Sequence, residues 1–90
     1  MAKAHVDPVE LRRFARDLKR FSTELQSLMG GLHARLVGLE KTWHDQEQRR
    51  FTEEFGQTMK TLTKFVKSSE QHAAFLTKKA GHIEDYLQQR

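Results

Sequence analysis

The stretch Thr42-Trp43-His44-Asp45-Gln46-Glu47-Gln48 decides the fold. One long apolar stripe stops there and a second begins. Asp45 is a good helix N-cap, and Gln48 follows at the spacing of a capping box. A helix therefore starts just after Asp45, and another ends close to Trp43. A connection this short makes the two helices antiparallel neighbours.

Upstream, apolar residues recur at steps of three and four: Leu11, Phe14, Leu18, Phe21, Leu25, Leu28, Leu32, Leu36, Leu39 and Trp43. At about 100° per residue they form one stripe. Asp7-Pro8-Val9-Glu10 is a helix start, with Asp7 as cap, Pro8 at the first helical position and Glu10 closing a capping box. Gly30-Gly31 costs roughly 1 kcal/mol per glycine relative to alanine. The stripe keeps its phase from Leu28 to Leu32, so the pair predicts at most a kink.

Downstream the stripe runs Phe51, Phe55, Met59, Leu62, Val66, Ser69, Ala73, Leu76, Ala80, Ile83 and Leu87, with Ser69 its sole polar member. The spacing is that of a bundle seam. The prediction is all-α: a single helical hairpin domain over 1–90, with helix 1 at about 8–43, a turn at about 43–46 and helix 2 at about 46–88.

Composition agrees. The chain has 90 residues, one Pro and five Gly, too few turn formers for a strand-and-turn protein. It is 37% hydrophobic and 31% charged, with mean hydropathy −0.77, which is polar for a small domain. Such a domain needs a disulfide, a metal or a partner. There is no Cys, which removes disulfides and thiolate sites. Two helices enclose no core, so each keeps an apolar face that asks for another surface. The simplest answer is a second hairpin, giving a four-helix bundle. No apolar run reaches a membrane span, and Met1–Pro8 has no signal-peptide core.

With its central Trp43, Phe51 eight residues later, and Leu36 and Leu39 leading into the turn, the chain resembles the WXG family of type VII secretion, the early-secreted-antigen-like small proteins. The layout is similar over nearly the whole chain. Asp45 stands where that family has Gly, giving Trp-His-Asp, and Asp suits the position as an N-cap. Many members carry Tyr-x-x-x-Asp/Glu near the C-terminus, whereas four residues after Tyr86 comes Arg90. The resemblance implies a turn motif of Trp43, Asp45 and Phe51. It also implies pairing with itself or with a related WXG-like chain, contact with the secretion machinery, and a cytoplasmic stage followed by export without a cleaved signal. The function it implies is that of a substrate, effector or adaptor acting by protein–protein interaction. The expected dimer and core seam comprises Leu11, Phe14, Leu18, Phe21, Leu25, Leu28, Leu32, Leu36, Leu39, Phe55, Met59, Leu62, Val66, Leu76, Ile83 and Leu87. Homodimer is the default.

Phe75, His82 and Tyr86 fall off the main seam and mark a second contact face on helix 2, while Phe65 at the seam edge reads as core. Trp43→Ala is expected to cost about 3–5 kcal/mol if the ring is buried. No two of the five His stand three or four apart, and His44 with Glu40 is the lone suggestive ligand pair. No metal, cofactor or small-molecule substrate is expected. Without a Cys nucleophile, a phosphate loop or a nucleophile elbow, the chain reads as a non-enzyme. Basic residues cluster as Arg12, Arg13, Arg16, Lys19 and Arg20, and as Lys60, Lys64 and Lys67, in a chain of net charge +4 and pI about 9.7. A basic nucleic-acid-associated protein is therefore one alternative, but interspersed acids and the lack of a stacking platform make nucleic acid an unfavoured partner. A cytosolic helical adaptor without a link to secretion is the other.

Overall fold

The computed structural model describes residues 6–89. Two helices, α1 (Pro8–Leu39) and α2 (Gln46–Gln88), lie side by side as an antiparallel hairpin of 68 × 22 × 15 Å. Pro8 opens α1, and the Asp7 side chain accepts from the Val9 amide at 2.9 Å. Glu10 does not complete the expected capping box. Its carboxylate accepts from Arg13 at 2.9 Å, because an exposed base one turn ahead competes for it.

Gly30 and Gly31 lie inside α1 without interrupting it, and a Cβ at either would meet nothing within 4 Å. Neither glycine answers a steric need in the hairpin, so each leaves helix propensity unused. Gly30→Ala is expected to raise the thermal midpoint, by about 1 kcal/mol in stability. A lowered midpoint in a calorimetric melt would contradict that.

Helix 1 ends at Leu39 rather than near Trp43. Beyond it the Lys41 amide bonds the Gly38 carbonyl and the Thr42 amide the Leu39 carbonyl, three residues back. The Thr42 hydroxyl also donates to Leu39 O. A side chain that satisfies a terminal carbonyl competes with further helix. The Trp43 amide still reaches Leu39 O, four residues back, so Trp43 keeps the stripe's phase after the helix has stopped.

Where the helices meet, the residues are small. Ala15 and Ser22 of α1 are buried, as are Val66, Ser69, Ala73 and Ala80 of α2. Small side chains let two helices pack closely. Leu11, Leu18, Leu25, Met29 and Leu36 flank them half-buried on α1, and Phe55, Met59, Leu62, Leu76 and Ile83 on α2. Ser69 is not the only polar residue at the seam: Ser22 and Gln48 are buried with it. Phe65 is not core either. It is 48% exposed, because it stands one position to the side of Val66.

The seam residues of α2 repeat every seven (Leu62, Ser69, Leu76, Ile83), so rows at a fixed offset stay on one side of the hairpin. The two sides differ. On one side Arg12 donates to both carboxylate oxygens of Glu84, at 2.6 and 3.0 Å. Nearer the turn, Gln48 Nε2 donates to Thr52 Oγ1 at 2.8 Å and to Glu40 at 3.2 Å, and Thr52 Oγ1 donates to Glu40. This polar side ties the helices together at both ends. The opposite side is apolar.

The hydrogen bonds from Arg12 hold the Glu84 carboxyl below the usual carboxylate range, and the pairing raises Arg12. A carboxylate with a lowered folded-state value stabilises fully above the ordinary glutamate range. That stabilisation fades as pH falls through the lowered value. Glu84→Gln should therefore flatten the acid limb of thermal midpoint against pH between about pH 6 and pH 2. An identical acid limb in the variant would remove Glu84 from that role.

Candidate functional site

The apolar side is the feature of the hairpin with no occupant. On α1, Phe14, Phe21 and Leu28 stand three residues after Leu11, Leu18 and Leu25 and form a second row beside the seam. They are 59%, 49% and 67% exposed. Leu32 and Leu39 are exposed too. On α2 the matching row carries Phe51, Phe65 and Tyr86. Phe21 and Phe65 meet edge to face with ring centroids 6.0 Å apart, which places both rows on the same face. The single stripe of α1 thus resolves into two rows. Leu11, Leu18, Leu25 and Leu36 lean on α2, while Phe14, Phe21, Leu28, Leu32 and Leu39 face outward. The α2 stripe mostly faces α1, with Phe51 and Leu87 exposed at its ends.

At the turn, Asp45 accepts from the Gln48 amide at 2.8 Å and caps α2 with extended backbone. Its φ of −91° asks nothing of glycine, so aspartate fits where a glycine would also fit. The Gln48 side chain does not return to the cap. It turns inward to Glu40 and Thr52. Trp43 lies 5.9 Å from Phe51, and Phe51 stacks on Phe55 at 5.8 Å. Phe51 and Phe55 rim a shallow cleft of about 180 Å³ with Leu32, Leu36, Leu39 and Arg35. Trp43 is half-buried rather than buried, so the expected cost of Trp43→Ala falls to about 2 kcal/mol. A differential melt against the parent chain measures it, and an unchanged midpoint would make the ring a surface group alone.

At the far end of α2, Phe75, His82 and Tyr86 come together as the spacing suggested. Phe75 is 64% and Tyr86 68% exposed. With Ile83, Lys78 and Lys79 they form a cleft of about 450 Å³. The lysines escaped sequence reading because their alkyl stems, not their charges, build the walls.

The remaining candidates are used elsewhere. Glu40 is taken by Gln48 and Thr52, and His44 Nε2 hydrogen-bonds the Lys41 carbonyl. Among the described residues no group of three or more His, Asp or Glu is placed to hold a metal ion. Arg12 and Arg13 of the basic cluster are paired with Glu84 and Glu10. No described helix is long and apolar enough to cross a membrane.

The family model described as WXG100, proteins of 100 residues with WXG, matches residues 3–88. No curated protein matches the chain by sequence. Among solved structures, the chain is similar to EsxB, a secreted protein from Bacillus anthracis str. Sterne. Identity is 27%, the match covers 96% of this chain and 98% of that one, and the TM-score is 0.82. Wild-type EsxB gives 28% identity over 91% and 94% of the two chains, with TM-score 0.79. A single-substitution variant gives 27% over 94% and 96%, with TM-score 0.85.

Proposed function

We propose, from the premise that the chain belongs to the WXG100 family, that it works by burying its exposed aromatic face against a second helical hairpin, either another copy of itself or a related chain. It is a small substrate or adaptor of a type VII-related secretion system. It is cytoplasmic before export and leaves without a cleaved signal peptide, as suits a relative of a secreted protein. It acts by protein–protein contact and performs no catalysis.

The observation that carries this reading is the two-sidedness of the hairpin. One side is closed by Arg12 with Glu84 and by Glu40 with Gln48 and Thr52. The other leaves Phe14, Phe21, Leu28 and Phe65 in solvent. Exposed apolar residues that are contiguous on one face mark an interaction surface. Two such faces pressed together make a four-helix bundle, in which seam and outer rows are both covered. The turn around Trp43 and the end of α2 then remain as surfaces for the machinery. The nucleic-acid alternative loses ground, because Arg12 and Arg13 are already neutralised within the chain.

The test is absolute mass in solution, by light scattering after size exclusion, with circular dichroism beside it. A folded helical species at twice the 10.6 kDa chain mass supports the homodimer. A weakly helical monomer would turn the search to a related partner chain.

A further inference from the structure

The side of the hairpin away from the aromatic rows is polar but not neutral. Arg16 and Lys19 follow Arg12 on α1 at four and seven residues, so they share the face that the Arg12–Glu84 pair marks. Lys19 faces α2 across a groove of about 490 Å³, lined on that helix by Glu70, Ala73, Ala74, Thr77 and Lys78. Lys67 stands one turn before Glu70, and Lys60 two turns before Lys67. Arg16, Lys19, Lys60, Lys67 and Lys78 are all exposed. None of them is in an ion pair, since those of the described residues are Arg12 with Glu84 and Arg13 with Glu10. The free acids on this face are Glu70, in the groove, and Asp85, seven residues after Lys78. On the aromatic side Asp17, Glu47 and Glu54 offset Arg35, Arg50 and Lys79. The excess positive charge of the chain therefore gathers on the face that a second hairpin would leave uncovered.

We propose that this basic face lies on the anionic surface of a phospholipid bilayer, held by charge and without entering the acyl region. Shape selects that occupant. Two parallel-lying helices give a flat face on a body 68 Å long and 15 Å thick, so bases on both helices reach one plane together. From Lys60 to Lys78 the face runs roughly 27 Å along α2. A plane of headgroup phosphates meets all of these bases at once. A nucleic-acid duplex is convex and would touch such a face along one line. The groove floor of Ala73, Ala74 and Thr77 is low, so a headgroup phosphate can come between Lys19 and Lys78 and accept from the Thr77 hydroxyl. The aromatic rings stand on the other rows, so nothing here wedges into a bilayer or stacks on a base. What remains is attraction between Lys or Arg and an anionic leaflet, additive over the bases and screened by salt. The aromatic face stays free, and pairing and membrane contact do not compete. For a chain that is cytoplasmic before export, the leaflet it meets is the anionic cytoplasmic one. That last step rests on the function proposed above, whereas the binding itself does not.

Cosedimentation with vesicles tests this. At about 50 mM salt the chain should pellet with phosphatidylcholine vesicles that contain about one third phosphatidylglycerol, and stay in solution with pure phosphatidylcholine. It should come off at about 500 mM salt and release no entrapped dye. Lys19→Glu with Lys78→Glu should weaken binding by about tenfold or more, with helical content kept because both residues are exposed. Lys41→Glu with Arg50→Glu makes the same change of net charge near the turn, and should weaken it by about threefold or less. Glu70→Gln removes the acid from the groove and should tighten binding by about threefold. A Phe21→Asp chain should bind as the parent does, so that membrane contact is read apart from pairing. No binding at low salt, equal binding to neutral vesicles, or equal losses in the two double variants overturns the proposal. Dye release, or loss of binding in Phe21→Asp, would put the contact on the aromatic face and overturn it too. So would a short DNA duplex that binds more tightly than the vesicles and loses as much to the two lysine reversals.

Discussion

Val66→Asp is expected to leave no cooperatively folded hairpin at neutral pH. Val66 is 3% exposed near the middle of α2, at the level where Phe21 and Phe65 meet. A carboxylate there loses its water. The ion pairs of the described residues, Arg12 with Glu84 and Arg13 with Glu10, lie near the chain's end and offer it no base. An unpaired buried ion costs several kcal/mol even after relaxation. A two-helix chain of this size has on the order of 5 kcal/mol to lose. The seam is lined by Ala15, Ser22, Ser69, Ala73 and Ala80, so there is little slack through which the new group could swing out. Val66→Ala separates charge from volume: it should cost about 2 kcal/mol and keep a cooperative melt. Circular dichroism melts decide the matter. A native-like midpoint in Val66→Asp would mean that α2 does not bury this position.

Val66 was legible in the sequence, and so was most of the α2 seam, because that stripe already included Ser69, Ala73 and Ala80 at their three- and four-residue steps. The α1 seam was half legible. Periodicity read from large apolar residues follows Leu11, Phe14, Leu18 and Phe21, but close helix packing selects Ala15 and Ser22, one position to the side. Size pulls the eye to the row that faces outward. The buried Gln48 was hidden for a different reason. Its partners Glu40 and Thr52 lie across the turn, and a hydrogen-bond network that spans a turn leaves no periodic trace. The end of α1 misled because Trp43 keeps helical phase through a bond to Leu39 after the helix has ended. The second face at Phe75, His82 and Tyr86 was visible as spacing. Its depth comes from the stems of Lys78 and Lys79, which hydropathy counts as charge alone.

Phe21→Asp is expected to do the reverse of Val66→Asp: to keep the hairpin and lose the partner. Phe21 is 49% exposed, so an aspartate there stays hydrated in the lone protomer. The hairpin gives up the edge-to-face contact with Phe65, which is worth about 0.5–1.5 kcal/mol. In the dimer the same carboxylate would lie on the covered aromatic face, desolvated by the partner and unpaired. A buried charge at the centre of an interface is the position where a single change costs most, about 3 kcal/mol or more, or roughly a hundredfold in dissociation constant. The expected result is a helical species at the 10.6 kDa mass of one chain under conditions where the parent is a dimer. Its melting temperature should no longer rise with protein concentration, because only association makes it do so. Phe65→Asp should reproduce both signs, being the other half of the same contact. The pair of results separates the two rows of α1 and α2 by function, the inner one holding the fold and the outer one holding the partner. A Phe21→Asp chain that still dimerises with parental affinity would move the interface to the opposite side. There it would have to cover the Arg12–Glu84 pair, and Glu84→Gln rather than Phe21→Asp would then shift the mass.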